Sequence, residues 1–202
     1  MPRAGLTPAS VVAEGAALAD EVGMADLTLA RLAERIGVRA PSLYKHVANQ
    51  ADLARRIAAL ALTEAGDAMG TAIQGRSGRD ALSAAAQALR AFVVGHPGRY
   101  AATISAHPEP DATADDPITE ASPRTLEPLR AVLHGYDIPA DAEIHALRAL
   151  RSIFHGFATL ESAQGFRYDT DVNASFDWLV EMVDEGLRAM AQRPADGSGD
   201  TR

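Results

Sequence analysis

The side chains best equipped to do chemistry are concentrated in one short stretch. Between Leu27 and Arg56 stand Arg31, Arg35, Arg39, Lys45, Arg55 and Arg56, opposed within the stretch only by Glu34 and Asp52. The segment therefore carries +4 in a chain whose formal net charge is −8, leaving −12 on the rest. Cations gathered this way neutralise phosphates, and a positive segment on an acidic body reads as a contact surface. The acidic total alone would argue against a nucleic-acid partner; its distribution reverses that argument. Lys45 is the only lysine, every other basic side chain being arginine, which with the abundance of alanine suggests a GC-rich genome.

Other chemistry is poorly represented. There is no nucleophile elbow, phosphate-binding loop, glycine-rich dinucleotide turn or His-Glu-x-x-His pair, so an enzyme is not expected. Glu143 and His145 are two residues apart and point to different faces of a helix, unlike the Glu-x-x-His pair of di-iron bundles. The absence of cysteine excludes disulfides and thiolates, and a metal would have to rely on histidine and carboxylates; neither metal nor cofactor is expected. No apolar run approaches the ~20 residues that span a bilayer, and the start of the chain lacks a basic-then-apolar leader, so the expected location is the cytoplasm.

The elements that would position the cationic segment are helical. Apolar residues make up 47% and aromatics only 5%, with Ala and Leu dominant, which points to an all-α protein able to bury a real core. A first helix is expected from Pro8 to Val22, burying Val11, Gly15, Leu18 and Val22 and stopping at Gly23. Thr28 can cap a second helix, with Leu29, Leu32, Ala33 and Ile36 on one side and Gly37 as its stop. A short helix should cover Ala40 to His46. Asn49 and Asp52 resemble a capping box that opens a long helix through Leu53, Ile57 and Leu60 to about Ile73. The spacing within Leu27 to Val47 has a geometric meaning. Ala33 lets two helices approach, Gly37 turns the chain, and Ile36, Val38 and Leu43 fill the angle between them. The second helix of such a unit faces outward and can enter a major groove.

At this point the sequence resembles the TetR family of bacterial regulators. The residues that carry the resemblance are Glu21-Val22-Gly23, Thr28, Leu32-Ala33, Ile36-Gly37-Val38, Ser42-Leu43-Tyr44, His46-Val47 and the Asn49 cap, and it is specific over Val11 to Leu60. It implies that Thr28, Ser42, Tyr44 and His46 touch backbone phosphates and that Arg39, Ala40, Pro41, Tyr44 and Lys45 face bases. Hydroxyls and imidazole suit phosphate oxygens, Arg and Lys reach guanine, and Pro and Ala press on a thymine methyl. Tyr44 read without the resemblance is a core tyrosine, and His46 a cap at a helix end. One position departs from the family: a lysine usually stands beside the cap of the long helix, and here it is Gln50, so one phosphate contact is missing or moved to Arg55 or Arg3.

Beyond the long helix, Gln74 to Gly78 is a break. A helix with Leu82, Ala85, Leu89 and Phe92 should end at Gly95-His96-Pro97-Gly98, followed by a short one from Arg99 to Ser105. Ala106 to Pro117 reads as an exposed loop, and helix signals resume near Ser122-Pro123 and stop at Gly135, with a bend at Pro128. The last two helices are expected over Ala140 to Gln164 and Asp171 to Gln192. The first is apolar on two sides, one carrying Ile144, Leu147, Leu150, Phe154 and Phe157 and the other Ala146, Ala149, Ile153, Gly156 and Leu160. The second carries Phe176, Leu179, Val180, Val183, Leu187 and Met190 in a near-heptad pattern, with Trp178 and Met182 beside them. Together they suit a helix-bundle interface between subunits, or else an ordinary core. The tail from Pro194 should be disordered.

The expected organisation is a helix-turn-helix domain over 1–52, a helical ligand-binding and dimerisation domain over 53–193, and a tail over 194–202. The family resemblance implies a homodimer, probing a palindromic double-stranded operator and controlled by a small-molecule effector, usually as a repressor. Phe154-His155-Gly156 resembles a Trp-His-Gly motif in the C-terminal domain of one TetR subgroup. Candidate effector contacts are Phe92, His96, Tyr100, Leu133, Arg151, Phe154 and His155, an apolar wall with a few polar groups. The competing reading is a helical ligand-binding or scaffolding protein without DNA, which leaves the Leu27 to Val47 pattern unexplained.

Overall fold

A computed structural model of the chain describes residues 5–105 and 116–192, and its regular elements there are all helical. They are α1 (Pro8–Val22), α2 (Leu29–Ile36), a 3-10 helix (Ala40–Lys45), α3 (Gln50–Ala72), α4 (Gly78–Gly95), α5 (Pro97–Ser105), α6 (Pro117–His134), α7 (Glu143–Ser162) and α8 (Val172–Ala191). No helix among the described residues is long and apolar enough to cross a membrane. The tail expected from Pro194, and most of the loop expected before Pro117, lie outside the described residues.

The chain forms two compact units, each drawing on separate stretches: Met1–Asp67 with Phe92–Thr125, and Ala68–Ala91 with Leu126–Arg202. The first unit is built around Val11, Ala16, Leu32, Leu43, Leu53 and Ile57, all essentially inaccessible to solvent. Thr7 caps α1 in a reciprocal box with Ser10, and Pro8 occupies the first turn, where its missing N–H costs nothing. Two glycines set how closely the helices approach. A Cβ at Gly98 in α5 would lie 1.8 Å from the carbonyl oxygen of Ala19 in α1. A Cβ at Gly66 in α3 would lie 2.4 Å from the carbonyl oxygen of Arg124 in α6. That second carbonyl has no α-helical partner of its own, because the residue four positions on is Pro128, which has no N–H to give.

Helix α6 begins five residues earlier than the expected Ser122. Asp116 is its cap, accepting from the Thr119 N–H at 3.0 Å, and Pro117 is its first residue. The Asp-Pro pair is a start signal that reads, among so many prolines and aspartates, as loop composition. The helix continues without a break through Pro123 and Pro128. Burial works against ionisation of Asp116, but the Thr119 N–H and the Arg55 guanidinium outweigh it and hold its carboxyl below the usual range. A depressed carboxylate stabilises above the unfolded-state value near ~3.9 and loses that contribution as pH falls through the folded value. Protection of the amides in the first turn of α6, measured against the intrinsic exchange rate at each pH, should therefore fall on acidification below pH ~4, and Asp116→Ala should show the low protection at neutral pH as well.

In the second unit Leu147, Leu150, Phe154 and Ala158 of α7 and Phe176, Val180, Val183 and Leu187 of α8 face the core. The other stripe of α7 is partly uncovered within the chain, Leu160 being 53% exposed, as is Trp178 of α8 at 68%; Ile144, expected on the core-facing stripe, lies at the start of α7 and is 46% exposed. Arg90 of α4 is buried, its Nε and a terminal nitrogen both 2.6 Å from Glu161 of α7, with Asn173 of α8 at 3.0 Å.

Candidate nucleic-acid interface

Helix α2 starts and stops as its ends dictate. Thr28 accepts from the Arg31 N–H at 3.2 Å, and Gly37 turns left-handed at φ 75°, ψ 38°. Val38 then donates to the Ala33 carbonyl at 2.9 Å, which starts the return strand of chain toward Arg39. The short helix expected over Ala40 to His46 is a 3-10 helix over Ala40–Lys45. Its turns close three residues apart, Ser42 donating to Arg39 and His46 to Leu43, each at 2.8 Å. Six residues with Pro41 near the start suffice for the tighter winding.

That winding decides which side chains face out. With three residues per turn, Ala40, Leu43 and His46 share one side; Leu43 is fully buried and the other two half-buried. Pro41, Tyr44, Lys45 and Arg39 are exposed and Ser42 is half-buried. Tyr44 is 58% exposed, so it is not a core tyrosine. His46 closes the 3-10 helix through its backbone and keeps its ring partly accessible.

Electrostatics sharpen this surface further than the net charge of the segment suggests. Arg35 forks onto Glu21 at 2.7 and 2.9 Å and reaches Glu14 at 3.1 Å, fastening α2 to α1. Its hydrogen bonds hold the Glu21 carboxyl below the usual range. Arg56 pairs with Asp52 at 2.9 Å, Arg55 with Asp116, and Arg31 leans toward Asp26 at 4.0 Å. Arg39 and Lys45, at the two ends of the 3-10 helix, have no carboxylate partner among the described residues. The uncompensated positive charge is therefore focused on the outward turn.

The start of α3 is fastened to the start of α2. Asn49 accepts from the Asp52 N–H at 2.9 Å, and Asp52 reaches back to the Ala48 N–H at 2.8 Å, a capping box displaced by one residue. Gln50 donates to the Leu27 carbonyl at 2.7 Å and accepts from the Leu29 N–H at 3.1 Å. An amide can do both at once; a lysine could only donate. Sequence reasoning identifies the position as unusual but not this use of it, since the partners lie more than twenty residues away.

The residues singled out as effector contacts divide between the two units. Phe92, His96 and Tyr100 come together in the first, Phe92 and His96 with ring centres 5.1 Å apart and Phe92 and Tyr100 6.4 Å apart. In the second, Leu133 and Phe154 are core, His155 is half-buried beside Thr159 and Arg151 is exposed. A groove of about 590 Å³ in that unit is lined instead by other residues of α7 and α8, among them His145, Ala149, Ile153, Met182, Gly186 and Met190. Ala149 and Ile153 belong to the second stripe of α7, and Met182 is the side chain expected beside the α8 core; Met190 belongs to the apolar pattern expected along α8 but is 53% exposed, and Gly186 carries no signal in the sequence.

Comparisons with known proteins agree with this geometry. Residues 11–57 match the model for bacterial regulatory proteins of the tetR family, and residues 82–183 that for the tetracyclin repressor-like C-terminal domain. The HTH-type transcriptional regulator YobS of Bacillus subtilis is 32% identical over 92% of this chain and 95% of its own. The HTH-type transcriptional regulator Rv0681 of Mycobacterium tuberculosis is 31% identical over 90% of this chain and 82% of its own. In fold, the transcriptional regulator SCO7222 of Streptomyces coelicolor superposes with a TM-score of 0.71 at 23% identity, covering 94% of this chain and 100% of that one. A helix-turn-helix with an outward cationic turn, followed by helices that match the C-terminal model, makes this chain a member of the TetR family of transcriptional regulators.

Proposed function

We propose that this regulator is a repressor that grips a palindromic operator as a homodimer and is released from it by a small molecule. The observation that carries the reading is the outward face of the 3-10 helix, where exposed Tyr44 stands between two cations that no carboxylate among the described residues neutralises. Arg39, Ala40, Pro41, Tyr44 and Lys45 meet base edges; Thr28, Ser42, Tyr44 and His46 hold phosphates, with Gln50 beside them at the start of α3. Residues 1–52 read DNA and residues 53–193 pair the subunits and respond to the effector. The site of action is the cytoplasm, where operator DNA is found.

The second copy docks on α7 and α8. Their outward side chains include Leu160, Trp178, Met182 and Met190, all exposed within one chain. Gly156 and Gly186 have open space where a Cβ would project, so nothing inside the chain requires glycine there. A mid-helix glycine costs about 1 kcal/mol relative to alanine, which close approach by a partner helix would justify. The effector acts at the Phe92, His96 and Tyr100 corner of the first unit, where the three rings come together.

Selection of genomic fragments by the purified protein should recover an inverted repeat whose half-sites lie about 34–36 Å apart or a multiple of that. On the recovered fragment, Tyr44→Ala and Lys45→Ala should each weaken binding by about 1–3 kcal/mol at fixed salt without lowering the melting temperature. Unchanged affinity in both variants would remove the 3-10 helix from the groove.

A further inference from the structure

We propose that Asp20 and Arg99 form the joint that fixes the attitude of the reading head, α5 holding α1 and through it the 3-10 helix; this rests on the regulator reading above. Asp20 is oddly placed for its own helix. It sits in the last turn of α1, where the helix dipole disfavours an anion, and its side chain is only 14% exposed. Its partners belong to another helix. One carboxylate oxygen accepts from the backbone N–H of Arg99 at 2.8 Å, in the first turn of α5, so that Asp20 caps α5 from outside. The other accepts from Arg99 Nε at 2.8 Å and faces His96 Nδ1 at 3.3 Å.

The guanidinium continues the connection. Its terminal nitrogen donates to Glu64 of α3 at 2.7 Å, so α1, α3 and α5 meet on a single side chain that is 13% exposed. Burial opposes the charge on Arg99, and the hydrogen bonds to Glu64 and Asp20 outweigh it. Gly98 removes the slack, because the α5 backbone lies against Ala19 and Asp20 with no room for a methyl group. The His96 ring at the edge of the joint lies against Phe92, so a shift at that aromatic corner is delivered to the Asp20 carboxylate. The helix-turn-helix is held by apolar burial of Leu32, Leu43 and Val47, in a cluster to which neither Asp20 nor Arg99 belongs.

A palindromic site is bound by two heads at once, and the second contact gains from being held in place by the first. Loosening the joint reduces that gain on an operator but leaves nonspecific contact, which is phosphate electrostatics, intact. The test uses the full chain, a DNA fragment selected by the wild type, and a random duplex of equal length. Arg99→Ala and Asp20→Ala should each weaken selected-fragment binding about tenfold and leave random-duplex binding unchanged. The double variant should be no weaker than either single one, and Arg99→Lys, which keeps charge but loses the fork, should fall between. Additive losses, equal losses on both DNAs, or no loss would overturn the joint. The cysteine-free chain also permits spin labels at Glu34→Cys and Ile104→Cys, with no DNA present. Their distance distribution should broaden in Asp20→Ala and Arg99→Ala, and an unchanged width would overturn the proposal. If the wild type prefers no fragment yet the labels broaden, the operator reading fails and the joint stands.

Discussion

A single methyl group at position 98 is expected to lower the melting temperature by roughly 6–12 °C and to abolish operator binding at working concentrations. The ideal Cβ of Gly98→Ala lies 1.8 Å from the Ala19 oxygen, 2.1 Å from its carbonyl carbon and 2.6 Å from the Asp20 nitrogen. All three are backbone atoms, so no change of rotamer relieves the clash and the helices must separate. Separation breaks the Asp20 cap on Arg99 and the Arg99 fork. Overpacking costs about 1–3 kcal/mol and hydrogen bonds to charged groups about 1.5–3 each, so a loss of about 3 kcal/mol or more is expected. Gly95→Ala is the internal control. Nothing lies within 4 Å of its ideal Cβ, so the change should be neutral or stabilising by up to about 1 kcal/mol. Thermal unfolding followed by circular dichroism measures both, and equal midpoints for the two variants would show that α5 can retreat from α1 at no cost.

Neither Gly98 nor Arg99 stands out in the sequence, and the reason is distance along the chain. What the sequence reveals is local: Thr28 three residues before the amide it caps, Gly37 at the end of α2, Asn49 and Asp52 at the start of α3. Each acts within one turn of a helix, so spacing alone identifies it. The core of the helix-turn-helix is legible for the same reason, as a period of apolar residues. Asp20 and Arg99 are 79 residues apart, and Gln50 and Leu27 are 23 apart. No periodicity connects them, and Gln50 reads only as a missing lysine. The positive charge of Leu27 to Arg56 is legible as a sum but not as a pattern. Glu14, Glu21 and Asp116, all outside the stretch, satisfy two of its arginines, and the folded chain leaves Arg39 and Lys45 to face outward. The 3-10 winding is likewise invisible to an apolar pattern, since Ala40, Leu43 and His46 fit a short α-helix almost as well.

The second unit should respond most strongly to the loss of one carboxylate. Arg90 is 8% exposed, and its charge is held by Glu161 at 2.6 Å through two nitrogens. The Phe176 ring centre lies 4.8 Å and the Phe157 ring centre 5.6 Å from the guanidinium carbon. Hydrogen bonding to Glu161 raises the pKa of Arg90 against the cost of burial, and because a guanidinium does not give up its proton in a protein, the charge stays buried when the partner goes. Removing one member of a buried pair costs about 3–5 kcal/mol, and because the Glu161 side chain is 22% exposed and partly screened by solvent the cost falls below that range, to about 2–3 kcal/mol for Glu161→Ala. The charge is the cause, not the lost contact, and that can be separated. Arg90→Met with Glu161→Ala removes both charges and keeps an unbranched side chain between the rings, so the double variant should be more stable than Glu161→Ala alone. Arg90, Glu161 and Asn173 join α4, α7 and α8, the last two carrying the face proposed for the partner. Glu161→Ala should therefore also weaken self-association in sedimentation equilibrium, with the double variant recovering part of it. A double variant less stable than Glu161→Ala would mean that the aromatic rings, rather than the carboxylate, are what makes an arginine tolerable at that position.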